Sequence, residues 1–453
     1  MHNVVSTSAS QTNLATESKL KLLSVKWVAS KLNNTPQKLK FIQIIGVFIA
    51  FMMFVVIGLY AAHLKNIQQV ISHDTVPSII AAEKLRYQLA NAHAELVNIF
   101  LLKQVDGKSD LQKKSWIAYK ESIRKAQSSY LDAAQNITYG EAERKPIYDV
   151  MTGLNEYERL VGSANASGKF GVEIKEADKI MQEIILPAAI ALDQANYNVL
   201  DLQYKHFVNT KFIYMSGFVL FFIFVSAYLY FSQKYLFTKT KRKFNLGMLC
   251  ASGVTIFGFI AVLILTHNTN KALDVSKNDA FDSVHLMWKA KATGSEINFI
   301  ESLYLLEYED KNKQNFLLNE FTKKSQTEMK YLLDENNNIT FKGEDLQAKN
   351  ALKYFQSYMK IDQKIRLYES SNRHADAINL CLGTKEGESN YVFDQFDLAL
   401  DNILNINNTE FSSNTKKALN NIYMIDFLGL LMAIVFSLSV FLGLKPRIEE
   451  YKY

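Results

Sequence analysis

Two short polar stretches hold the residues best placed to do chemistry. Asn91, Glu95 and Asn98 follow one another at steps of four and three, and Ser295, Asn298 and Glu301 at steps of three. On a helix, such steps put each trio on one face. Amides, hydroxyls and a carboxylate on one face can hydrogen-bond a small polar solute in a cleft between helices. The small neighbours Ala92, Ala94, Thr293 and Gly294 would let the helices approach closely. The same pattern also suits a satisfied polar layer that fixes the register of a helical bundle.

No reaction chemistry is encoded in a recognisable form. The chain has no glycine-rich phosphate loop, no HExxH, no CxxC pair and no G-x-S-x-G. Its eight histidines are scattered, and His73, His93, His206, His285 and His374 have no second ligand at helical i,i+4 spacing. The expectation is therefore no catalytic residue, no metal and no cofactor. Cys250 falls in an apolar run and Cys381 in a polar segment, so a disulfide framework is excluded.

Four apolar runs set the position of everything else, three of them charge-free and the last charge-free from Phe427 to Leu444 with Asp426 just before it. The expected order is a cytosolic basic tail 1–40, span 41–62, an outer segment 63–211, span 212–232, a basic turn 233–245 and span 246–266. A second outer segment 267–422, span 423–444 and a cytosolic tail 445–453 follow. Each run is about 20 residues, enough to cross a hydrocarbon core of roughly 30 Å. The turn holds Lys234, Lys239, Lys241, Arg242 and Lys243 with no acidic residue, which marks the cytosolic side. The basic N-terminal tail is expected to lie on the anionic inner leaflet or to act as a topology signal. Both termini are then cytosolic. The net charge of +6 belongs to these cytosolic pieces and does not imply nucleic-acid binding.

Five prolines in 453 residues favour long helices. Leu85, Leu89, Ala92, Leu96 and Ile99 alternate at four and three, the seam of a helix packed among helices. The first outer segment reads as four helices: the extension of the first span to about Gln104, about Ser109–Ile137, about Gly140–Val161, and Val172 onward with a bend at Pro187. Asp106-Gly107 and Gly162 to Gly171 read as loops. The second segment repeats the plan, with an interruption expected in the Asn-rich stretch Asn402 to Ser413. The fold class is an all-α membrane protein, four transmembrane helices with two tandem extracytoplasmic four-helix bundles. Little residue-by-residue identity links the two halves. Asn136-Ile137-Thr138 and Asn338-Ile339-Thr340 are glycosylation triplets in form.

The tail Leu444-Lys445-Pro446-Arg447-Ile448-Glu449-Glu450-Tyr451 resembles the end of a bacterial family of four-span membrane proteins. Ile185-Leu186-Pro187-Ala188-Ala189 and Leu380-Cys381-Leu382-Gly383-Thr384, followed by Phe393-Asp394-Gln395-Phe396-Asp397, are also similar to that family. In actinobacteria its members accompany a periplasmic glutamate/aspartate-binding lipoprotein and a cytosolic serine/threonine kinase. The paired bundles also resemble the four-helix sensor module of chemoreceptors. The resemblance implies a non-enzymatic signalling receptor in the bacterial inner membrane. Its partners would be a periplasmic solute-binding protein, a cytosolic kinase and the lipid bilayer, and a homodimer is compatible with the plan. Cytosolic contact would fall to Lys241, Arg242, Lys243, Pro446, Arg447, Glu450 and Tyr451. A structural scaffold binding envelope proteins is the other reading. A transporter is disfavoured by the lack of charged clusters and broken helices in the spans.

This topology is directly measurable. Single cysteines at Lys113 and Lys313, in a cysteine-free background, should react with an impermeant maleimide on intact cells. A cysteine at Lys239 should react only after the inner membrane is opened. The reverse pattern would contradict the assigned sides.

Overall fold

The computed structural model describes residues 34–105, 107–167, 171–241 and 244–451. Nine helices are found among the described residues, and no strand. They are α1 Thr35–Leu102, α2 Ser109–Gln135, α3 Glu141–Ser167, α4 Val172–Thr240, α5 Leu246–Leu306, α6 Lys311–Asn336, α7 Glu344–Ser370, α8 His374–Cys381 and α9 Ser389–Glu449. The chain divides into two compact units. One gathers residues up to Leu64, Thr210–Asn268 and the chain from Asn420, and the other gathers Lys65–Asn209 and Thr269–Leu419.

The first unit is apolar. α1, α4, α5 and α9 are each long and apolar enough to cross a membrane, and only 22–28% of each apolar window is buried. Side chains such as Phe48, Phe224 and Phe257 are left on the outside, as lipid-facing residues would be. Inside, the helices meet through small residues and rings. A Cβ on Gly247 would run into the Cα of Gly443, so α5 and α9 touch backbone to backbone there. Asn245 Nδ2 donates to the Gly443 carbonyl at 2.7 Å beside that contact. Phe218 stacks on Tyr60 and on Phe259, each at 5.5 Å.

The second unit contains both polar segments. The expected seam of α1 holds, since Leu85, Leu89, Ala92, Leu96 and Ile99 are all fully buried. Ala90, Ala94, Val97 and Leu101 on its other faces are buried as well. A helix covered on every side belongs at the centre of a core. The reason is that α5 packs along α1, and Asp282–Leu306 is covered all round in the same way. The two four-helix halves thus share one core, with α1 and α5 in the middle.

Charged groups cross this central contact. Arg86 Nε donates to Glu296 Oε1 at 2.8 Å, and Nη2 donates to Thr293 Oγ1 at 3.3 Å. Lys324 of α6 closes on the other oxygen of Glu296. Further along, Ser302 Oγ donates to Asn98 Oδ1 at 2.7 Å, and Lys175 Nζ donates to Glu307 Oε2 at 2.8 Å.

Three of the long helices contain a π turn: Val70–Thr75 in α1, Met181–Ile185 in α4 and Val275–Phe281 in α5. The first two lie just ahead of Pro77 and Pro187, where a missing N–H frees a carbonyl of the preceding turn. Asn136 Nδ2 takes up such carbonyls, donating to Asp74 O at 2.9 Å and to His73 O at 3.3 Å. It also donates to Ser78 Oγ at 2.6 Å. Asn338 does the equivalent in the second half, donating to Ser283 Oγ at 3.1 Å.

The following helix is capped alike in both halves. Glu143 accepts from the N–H groups of Thr138 and Tyr139, and Glu344 from those of Thr340 and Phe341. The two Asn-Ile-Thr triplets are therefore matching turn elements of a duplicated plan. The likeness was hidden because the capping glutamate sits five residues after the threonine in one half and four in the other.

Two expectations about loops are corrected. α3 runs on through Gly162 to Ser167. The Asn-rich stretch 402–413 does not interrupt α9. There Asn407 donates to Ile403 O, Thr409 to Asn405 O and Asn414 to Glu410 O. These side chains bond back to the preceding turn, so polar composition does not end the helix. Asp106 lies outside the described residues.

Because Glu296 is buried, removing its guanidinium partner should be costly. Arg86→Met should lower the unfolding free energy of the second unit by roughly 3–5 kcal/mol. Urea titration of the full chain in nanodiscs, followed by tryptophan fluorescence, measures it. Arg86→Met/Glu296→Leu should recover part of the loss. An unchanged midpoint in Arg86→Met would remove the pair from the account.

Candidate functional site: a cleft between the two halves

A cleft of about 300 Å³ opens beside the α1–α5 contact, lined from α1, α2, α5, α9 and the segment after α8. Tyr87, Asn91, Glu95 and Asn98 of α1 form one wall. Lys114 and Ser115 of α2 face them, Asn298 comes from α5, and Phe393, Asp394 and Asp397 come from α9. The α1 residues recur every three or four positions because one face of one helix supplies them. Asp394 and Asp397 share a face of α9 for the same reason.

Four of the six expected ligand residues, Asn91, Glu95, Asn98 and Asn298, line this one cleft. The other two do not. Ser295 is buried, and its Oγ has no hydrogen-bond partner. Glu301 is buried beneath α8 and the start of α9, where Oε2 accepts from Ser389 Oγ at 2.9 Å. Asn91 Nδ2 donates to Ser122 Oγ at 2.9 Å, which ties the cleft wall to α2.

The sequence reading missed Tyr87, Lys114, Phe393, Asp394 and Asp397. The signal for the last two was the acidic stripe Asp394, Asp397 and Asp401 along α9, which is visible as a helical repeat but silent about its target.

Three carboxyl groups, Glu95, Asp394 and Asp397, and one lysine, Lys114, line the cleft. Asp397 Oδ2 accepts from Tyr87 Oη at 3.1 Å and from Lys291 Nζ at 2.9 Å, while Asp397 Oδ1 has no hydrogen-bond partner. Lys291 also pairs with Asp401 at 2.5 Å. Burial pushes the Glu95 carboxyl up to about 7, against a hydrogen bond with Ser115, and the Asp394 charge adds to the rise. Burial and the neighbouring Asp397 raise Asp394 to about 6. Asn298 is only 6% exposed, and its Nδ2 has no hydrogen-bond partner. A second groove of about 530 Å³ lies between α6 and α7, and there Arg366 stacks on Phe321 at 4.4 Å. That groove belongs to one half alone.

Histidines turn up in buried polar contacts that spacing could not reveal. His93 sits between Tyr157 Oη at 3.2 Å and Asp178 Oδ1 at 3.0 Å, its ring edge-on to Phe299 of the other half. Burial pushes the Asp178 carboxyl up, but its contacts with His93, Gln182 and Lys313 outweigh this and hold it low. His285 lies 2.6 Å from Asp193, and with Glu83 they bring three ligand-type atoms within 4.8 Å of one another. Protein cations already serve this group, Lys289 at 3.5 Å from Asp193 and Arg86 at 3.4 Å from Glu83. The three come from α4, α5 and α1, so no local motif announces them.

Of the expected cytosolic contact residues, Arg242 and Lys243 lie outside the described residues. Lys241 is exposed and ends α4 at a φ of 56°. Pro446 lies inside α9, and Arg447 pairs with Glu450 one turn on. Tyr451 is exposed just beyond the helix.

Residues 68–205 match the family model of the actinobacterial sensor domain. That stretch covers the first half, from the π turn of α1 to the middle of α4. No curated protein matches the chain, and no solved structure does. The sensor match and the four apolar helices fit a multi-pass bacterial membrane sensor.

The buried carboxyls make stability pH-dependent. Glu301 is raised to about 8 and Glu83 to about 7, both chiefly by burial. Burial raises Glu328 well above the usual carboxylate range, with the Glu296 charge adding to the rise against Arg86, and neither of its oxygens has a hydrogen-bond partner among the described residues. Such groups bind more protons folded than unfolded, so their contribution is present below pH 4.5 and is lost as pH rises through 7 and 8. Asp178 and Asp193 are depressed and act oppositely, losing their contribution as pH falls below about 4. The melting temperature should peak near pH 5 and fall toward pH 8.5. Glu328→Gln should raise it at pH 8.5 by about 2–4 °C and leave pH 5 unchanged. A wild-type melting temperature that climbs steadily from pH 5 to 8.5 would contradict this.

Proposed function

We propose that the chain is a non-enzymatic transmembrane receptor that binds a small solute in the cleft between its two halves. The carrying observation is that one cleft draws polar side chains from both halves at once. A ligand there contacts α1, α5 and α9 together, and each of those helices continues into the apolar unit. A solute that prefers one arrangement of the halves would shift the population of two helix arrangements. Displacements of about 1–2 Å along such helices are a common scale for switching. The reading is supported by the sensor-domain match over the first half.

The response would leave through the basic turn at Lys241 and the tail at Pro446, Arg447, Glu450 and Tyr451. A cytosolic partner such as a serine/threonine kinase would read it there. Delivery of the solute by a periplasmic binding protein is part of the same proposal, since such a protein would hand its cargo to an outward-facing cleft.

Filling the cleft should mimic loss of the protein. Asn91→Trp, expressed at wild-type level and correctly inserted, should reproduce most of the transcript and phosphoprotein changes seen on deleting the gene. Deleting residues 445–453 should do the same. A wild-type profile in Asn91→Trp would overturn the cleft as the input site.

A further inference from the structure

We infer that the cleft takes a small organic cation, a primary amine with a short apolar body. The inference rests on the receptor reading above and adds the class of ligand.

Charge favours a cation. Three carboxyl groups line the cleft, Glu95, Asp394 and Asp397, against one lysine of its own, Lys114 on the exposed side. Lys291 is spoken for by Asp397 and Asp401. Among the described residues Glu95 and Asp394 have no ion-pair partner, and the Asp394 charge raises the affinity of Glu95 for a proton as Asp397 does that of Asp394. A bound ammonium would relieve that repulsion, because an opposite charge favours the ionised carboxyls.

Hydrogen bonding favours an ammonium as well. Among the described residues Asp397 Oδ1 has no donor and Asn298 Nδ2 no acceptor, and Asn298 is 6% exposed. A buried polar group without a partner is costly, so a ligand that supplies one is favoured at a cleft these residues line. An ammonium supplies donors to the carboxylate side, and a polar oxygen elsewhere on the ligand, or a retained water, would serve Asn298.

Size favours a small organic molecule. At about 30 Å³ for each water, a cleft of about 300 Å³ holds roughly ten. That is far more than a bare metal ion fills and suits a molecule of several carbon atoms. Phe393 and Leu102 give such a body an apolar surface to rest on.

The test uses the full chain in nanodiscs and isothermal titration with n-butylamine, 1,4-diaminobutane, butyrate and calcium chloride. Saturable binding is expected for at least one amine, with butyrate and calcium at least tenfold weaker. Amine affinity should rise at least about tenfold from pH 5.5 to 8, as Glu95 and Asp394 ionise while the amine stays charged. Glu95→Gln should weaken the amine at least tenfold and flatten that pH dependence. Lys114→Glu, on the exposed side, should strengthen it, which guards against reading a misfolded variant as a lost site.

No saturable amine binding up to 10 mM (roughly −3 kcal/mol on the affinity scale), or butyrate binding as well as the amines, or Glu95→Gln and Lys114→Glu both without effect, would overturn the inference. If the amines fail while Asn91→Trp still mimics gene deletion, the ligand class falls and the receptor reading stands. If the amines bind but Asn91→Trp behaves as wild type in cells, the ligand class stands and the receptor reading falls.

Discussion

The structure depends on a buried ionic contact between two helices that are distant in sequence. Arg86 of α1 and Glu296 of α5 meet at 2.8 Å with almost no water around them. Two desolvated charges are expensive apart and tolerable together, so the pair penalises any arrangement in which the halves separate or slide. Thr293 and Lys324 complete its hydrogen bonding. The small residues Ala90, Ala94 and Ala290 of the two central helices are buried, and Gly294 lets Phe396 of α9 approach α5 closely. The outcome is one core fed by both halves, which is what allows a single cleft to take walls from both.

Much of this plan was legible in the sequence. The four apolar runs, the helical content and the α1 seam follow from hydropathy and spacing, which are local properties. The site was half legible. Asn91, Glu95, Asn98 and Asn298 were visible as polar residues on helix faces that should have been apolar. Tyr87, Lys114 and Asp397 were not, because they become neighbours only once α2 and α9 are packed against α1. Glu301, on the same helical face as Asn298, lies against Cys381 and Ser389 and not in the cleft. Helical phase assigns a side, and only packing decides what lies there.

The loop errors share a cause. Gly162 and the Asn-rich stretch of α9 carry residues that favour turns in isolation. Tertiary packing overrides that preference when the helix is held elsewhere. Conversely, the Asn-Ile-Thr triplets looked like surface modification signals, and their asparagines instead satisfy backbone and hydroxyl groups beside π turns. The duplication of the two halves survives in these turn contacts more clearly than in sequence identity.

The central claim, one cooperative unit built from two halves, is tested most directly by native-state hydrogen exchange on the full chain. Val150, fully buried in α3 of the first half, lies far in sequence from the second half. The account predicts that Val150→Ala lowers the protection of residues 311–370 as much as that of residues 109–167. If protection falls in residues 109–167 alone, the halves are independent and the account is wrong.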